Sequence, residues 1–186
     1  MQSLKHFFSD LLGPPEEFNG EKRLFHFVVL LSLGLVFYAL LFNLFLSNVL
    51  LIALFSVLIL VGAFLFYISR FLQLFTVSWT LVTVITYFVF ILNFILNDGL
   101  DGPTLVLSFI TITILFTVAP SRMHWIWVSL HILIFGGLVF LELLEPDWIV
   151  HNYNDRITRV LDNVITYALT LIFIAVIFRY IRKRID

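Results

Sequence analysis

The chain has 186 residues, 61% hydrophobic and 12% charged, with 22 phenylalanines, a mean hydropathy of +1.07 and a formal net charge of −1. A soluble domain is about half apolar and about a quarter charged, so water is not this chain's main solvent. The only basic run is the terminal stretch Arg179 to Arg184, which excludes a nucleic-acid binder built on a basic stripe, and the lack of any cysteine excludes disulfides, thiolate metal sites and cysteine nucleophiles.

Met1 to Leu12 places Leu4, Phe7, Phe8, Leu11 and Leu12 at helical spacing, with Lys5, Ser9 and Asp10 elsewhere. The pattern predicts an amphipathic helix in the membrane interface, a disordered leader being the alternative. A basic region, apolar core and small-residue cleavage site in that order is missing, so a signal peptide is not expected. Gly13-Pro14-Pro15 breaks the helix, and Glu16 to Arg23 is a polar approach to the bilayer.

From Leu24 to Ser69 no Asp, Glu, Lys or Arg occurs. As one helix, that run would reach roughly twice the thickness of a hydrocarbon core, so it must fold back. Asn43, Ser47 and Asn48 are its clustered turn formers, which puts a first span at 24–46 and a second at 49–69. Arg70 and Gln73 mark the next turn before a third span at 74–96. Asn97 to Pro103 (NDGLDGP) reads as a loop. A short fourth span at 104–119 ends at Pro120-Ser121-Arg122, a fifth runs 124–144 to Pro146, and a sixth covers 160–180. The fold class expected is all-α: an integral membrane bundle of six transmembrane helices behind an interfacial helix, with residues 181–186 starting a cytoplasmic output helix.

Six crossings put Lys5, Lys22, Arg23, Arg70, Arg122, Arg179, Arg182, Lys183 and Arg184 on one side, and of the eleven Lys and Arg only Arg156 and Arg159 on the other. Basic loops favour the cytoplasm, so both termini are expected there. Trp125, Trp127 and Trp148 fall near interfaces, where amphipathic rings prefer to sit. No internal repeat is evident, which disfavours an inverted-repeat transporter.

Polar residues within the spans recur on single helix faces: Thr76, Thr80, Thr83 and Tyr87, with Asn93 farther out; Thr104, Ser108 and Thr111; Thr158, Asp162, Thr166 and Thr170. Close helix packing and a polar cavity both account for such stripes. In the fifth span His124, His131 and Glu142 share a narrow sector, but His131 and Glu142 lie about 16 Å apart along the axis, too far for one metal ion. His131 is read either as a proton-responsive, ligand-lining group or as a buried histidine bonded to a Thr, a Tyr or a backbone carbonyl.

Leu141 to Asp162 concentrates Glu142, Glu145, Asp147, His151, Asp155, Arg156, Arg159 and Asp162 between two apolar segments. Charges at the edge of a bilayer need water or one another. A Glu142–Arg159 pair is the structural expectation. The functional one is an outward-facing pocket lined by Glu142, Asp162, Arg159, His151 and Asn93, with Arg156 beside it. Glu145, Asp147 and His151 match no specific metal motif, and no metal or cofactor is expected. H-E-x-x-H, G-x-S-x-G and phosphate-cradling glycine loops are missing, so catalysis is not expected.

The amphipathic start, six tight spans, Pro120-Ser121-Arg122, the run His131 to Phe135 followed by Glu142, and YNDRITRVLD entering the last helix resemble the amino-terminal membrane region of bacterial sensor histidine kinases, notably the six-helix input domains of Bacteroidetes. The resemblance implies a sensory domain of the inner membrane, a homodimer whose Tyr153, Arg156 or Arg159, and Asp162 stand at the start of the sixth helix. It further implies that Arg179, Arg182, Lys183 and Arg184 lead into a cytoplasmic effector. Where that family continues into a kinase, the expectation here is either an isolated input domain or one whose effector has been removed. A small carrier or channel and a purely structural membrane anchor are the alternatives.

Overall fold

The computed structural model describes residues 11–151, 153 and 155–185, without the side chains of Ser121, Arg184 and Ile185. The interfacial helix expected over Met1 to Leu12 lies outside them except for Leu11 and Leu12, which are helical. Six long α-helices follow in chain order: α1 (Gly20–Leu46), α2 (Val49–Arg70), α3 (Phe75–Leu96), α4 (Thr104–Val118), α5 (His124–Leu144) and α6 (Arg156–Ile185). Single 3-10 turns at Ser121–Met123 and Pro146–Trp148 lead into and out of α5.

Side-chain chemistry at the helix ends explains the boundaries. Asn19 Oδ1 accepts from the Lys22 amide at 3.0 Å, so α1 begins in the polar approach rather than at Leu24, with Glu21 in the favourable first turn. Ser47 closes α1 in the left-handed region at φ 56°, its N–H donating to Asn43 and Leu44, and Asn48 Oδ1 opens α2 by accepting from Leu51 at 3.3 Å. The expected turn is thus a C-cap joined directly to an N-cap.

Likewise α6 starts four residues before the apolar run, because Asp155 accepts from the Thr158 amide at 2.8 Å and its hydroxyl at 2.7 Å. Those two bonds hold the Asp155 carboxyl below its ordinary 3.8. A depressed carboxylate stabilises above its unfolded value and stops doing so as pH falls through the folded one. Asp155→Ala is therefore expected to speed amide exchange in the first turn of α6 at neutral pH. As pH falls through the depressed value, the difference between variant and parent should disappear.

Five helices are long and apolar enough to cross a membrane, which makes this a multi-pass membrane architecture. At 15 residues, α4 spans about 22 Å against a core of about 30 Å. It is nevertheless the hub, packing against α1, α3, α5 and α6. One core cluster joins Phe25, Val28 and Val29 of α1 to Ile110, Ile114 and Val118 of α4 and to Phe173 and Ile177 of α6. A second joins Phe90 and Phe94 of α3, Leu138 of α5 and Ile149. Large apolar side chains such as Phe45 and Trp125 are 84% and 80% exposed. In water they would be aggregation liabilities, whereas in a bilayer they face lipid.

Candidate functional site

The connections α3–α4 and α5–α6 meet at one end of the bundle, over the first turns of α6. Backbone bonds make the first joint: the Val150 amide donates to Ile95 at 2.8 Å, and the Asp98 amide donates to Val150 at 3.2 Å. Asp98 and Gly99 both sit at positive φ, 59° and 54°, which folds NDGLDGP back on itself. A Cβ at Gly99 would run into the Glu142 carboxylate. Gly99→Ala therefore combines a left-handed alanine, about 1–2 kcal/mol, with a displaced Glu142. The expected result is a measurable loss in unfolding free energy, with Gly102→Ala behaving similarly because its Cβ would meet the Asn97 carbonyl.

Side chains make the second joint. Asp162, in the second turn of α6, is only 7% exposed. It accepts from the Tyr153 hydroxyl and, at 3.3 Å, from Thr166. The Asn97 side-chain amide lies 3.1 Å from the same tyrosine oxygen. A hydroxyl has one proton, and the carboxylate is the stronger acceptor. Burial, followed by the nearby Asp162 charge, pushes the Tyr153 phenol well above its ordinary 10.0. His151 Nδ1 meets Asp98 Oδ1 at 3.0 Å, and Arg159 donates to Asp101 at 2.8 Å. The Arg159–Asp101 pair is solvated on both sides, and such pairs contribute about 0–1 kcal/mol. The buried Asp162–Tyr153 bond is the energetic centre.

The expected Glu142–Arg159 pair is not formed. Glu142 Oε2 accepts from the Leu100 amide at 3.0 Å, while Arg159 holds the adjacent residue's side chain, Asp101. The 97–103 loop stands between acid and base and offers each a nearer partner. Asn93 donates to Thr104 across α3 and α4 at 2.8 Å, beneath the cluster rather than within it. Arg156 is exposed on the first turn, with no partner among the described residues. Glu145 and Asp147 are exposed, and no group of three His, Asp or Glu among the described residues converges to hold a metal ion.

His131 stands apart, between the rings of Tyr87 and Phe90 at 6.1 and 5.4 Å, and its buried Nδ1 has no partner among the described residues. Neither a hydroxyl nor a carbonyl reaches that nitrogen. The Tyr87 hydroxyl is engaged by the Trp127 carbonyl at 3.1 Å. Arg179, Arg182 and Lys183 are exposed at the far end of α6, and Arg184 lies in the same helix.

Asn97, Asp98 and Asp101 escaped sequence reasoning because a turn-forming Asn or Asp and a cluster-forming one have the same letters. His26 also escaped it. This fully buried ring lies at the opposite end of the bundle, 2.9 Å from the Leu12 carbonyl and 3.0 Å from Ser69 Oγ, which ties the segment before α1 to the end of α2. Arg70, stacked 4.6 Å over Phe18, closes that node. A lone histidine at the rim of an apolar run gives no sign of its partners. Against family models, curated proteins and solved structures, the chain matches none.

Proposed function

We propose that this chain is a membrane-embedded signal-input domain that passes a stimulus at its outer face through α6 to a cytoplasmic effector, such as a histidine kinase. The observation that carries the reading is the attachment of two separate loops to one turn of α6 through Tyr153, Asn97 and Asp162. The same helix runs on to Arg179, Arg182, Lys183 and Arg184. A ligand or membrane change that prefers one arrangement of the loops then biases the position of a single long helix.

On this reading the short α4 also crosses, as the fourth of six spans, both chain ends lie in the cytoplasm by the lysine and arginine distribution, and the domain works as a homodimer in a bacterial inner membrane. The segment leading into α1 is held against the bundle through Leu12 and His26. The stripes support packing rather than a conduit. Thr80, Thr83 and Thr170 each donate to a carbonyl one turn back in their own helix, and Asn93 donates across to Thr104 of the next.

The test joins residues 1–186 to a histidine-kinase catalytic module. Tyr153→Phe and Asp162→Asn are expected to change basal autophosphorylation in membranes. A chimera indifferent to both, and to Asp98→Ala and Arg159→Ala as well, removes the proposal.

A further inference from the structure

A cavity of about 220 Å³ lies among α1, α2, α3 and α4. Ser32, Gly62, Thr86 and Thr111 line it, and each falls in the middle part of its helix, so the cavity sits near the bilayer midplane. Its remaining wall is almost wholly aliphatic and aromatic. Asn93 also lines it but donates to Thr104, and Thr86 donates to Val82, so few polar atoms are left for the two to four bonds that a water molecule needs. An apolar cavity of about 150 Å³ suffices for benzene, so the volume here admits a larger apolar group.

Ser32 sets the cavity apart from the rest of the bundle. Thr86, on the opposite wall, donates to Val82 at 2.7 Å, and Ser56 and Ser78 likewise use the carbonyl one turn back. Ser32 Oγ is buried, makes no such bond and has no partner among the described residues. A buried hydroxyl left unmatched in hydrocarbon is costly. Because Ser32 is part of the cavity wall, an occupant with a hydrogen-bonding oxygen can relieve that cost.

We propose that this cavity binds an uncharged, bilayer-soluble molecule with an alkyl body and a single hydroxyl or carbonyl oxygen that pairs with Ser32. At midplane depth a phospholipid headgroup cannot reach the site, and a charged group would have no counter-ion in the wall. Ile110 and Ile114 line the cavity and also pack in the core with Phe173 and Ile177. An occupant therefore presses on the helix that supports α6. Binding stands on the cavity alone, whereas its effect on α6 rests on the signal-input reading.

The probe is a long-chain fatty alcohol bearing a diazirine on its alkyl chain, added to the full chain in phosphatidylcholine nanodiscs. Photolabelling of peptides around Ser32 to Val36 and Ile110 to Ile114 is expected to saturate and to be competed by unlabelled alcohol. Val36→Trp and Ile85→Phe, which fill the cavity from different walls, should each abolish the saturable fraction. Ser32→Ala should weaken competition roughly two- to tenfold, the range for one neutral hydrogen bond. Ile132 and Leu133, 65% and 72% exposed on α5, should label without saturation.

Labelling that saturates no better than at Ile132, or that persists in both filled variants, overturns the inference. So does equal competition by phospholipid, which marks bulk acyl chains only. Lost saturation with a kinase chimera still responsive to Tyr153→Phe defeats this inference alone. Saturable labelling with an unresponsive chimera defeats only the signal-input reading.

Discussion

Tyr153→Phe is expected to lower the unfolding free energy in micelles by about 1.5–3 kcal/mol, the range for a hydrogen bond to a charged group. The phenylalanine keeps the ring and removes the donor, leaving a carboxylate that is 7% exposed with Thr166 at 3.3 Å as its remaining side-chain partner. Asp162→Asn should lose less, because the amide oxygen still accepts from Tyr153. The double variant should lose less than the sum of the two, the mark of a shared interaction.

The same bond carries a pH signature. A phenol raised above its ordinary 10.0 by burial and by Asp162 stabilises the fold below that value, and the contribution disappears as pH rises through the raised one. Stability monitored from pH 9 upward should therefore fall in the parent more than in Tyr153→Phe. An identical alkaline profile for both would place the relevant ionisation elsewhere.

Phe173→Ala is expected to have the largest effect on stability. Phe173 is 1% exposed and sits where α6 meets α4 and α1. Truncation of a core phenylalanine costs about 3–5 kcal/mol in soluble proteins. Lipid is as apolar as the core, so the transfer part shrinks and the lost packing remains, which points to the lower end of that range. Phe178→Ala is the control, since Phe178 is 64% exposed and should stay within about 0.5 kcal/mol. Thermal denaturation in the same detergent compares the two directly. Equal losses would mean that α6 is not packed as described.

Helix positions were legible because bilayer thickness and charge-free runs are strong constraints. Ser47-Asn48 and NDGLDGP were readable as turns from residue type alone. Asn19 and Asp155 carry α1 and α6 beyond the apolar runs into polar sequence by capping, a signal weaker than hydrophobicity. Asp162 stood out because an acid in an apolar segment is conspicuous. Its bond to Tyr153 was not legible, although the family resemblance had named both residues, because that pairing and the contact with Asn97 exist only once two loops converge. Glu142 and Arg159 were matched by charge, whereas geometry gave each a loop partner. Pairing across a bundle depends on helix order, and composition carries none of it.

The most direct test of coupling through α6 is a distance measurement. With no native cysteine, Leu72→Cys and Lys183→Cys can be introduced on the parent and spin-labelled, placing one label beside the end of α2 and one near the end of α6. If α6 transmits the state of the loop cluster, Tyr153→Phe in that background shifts the inter-label distance distribution, although Tyr153 lies at the opposite end of the bundle. Superimposable distributions, alongside a proven loss of stability at the loop end, would show that the disturbance stops where it starts.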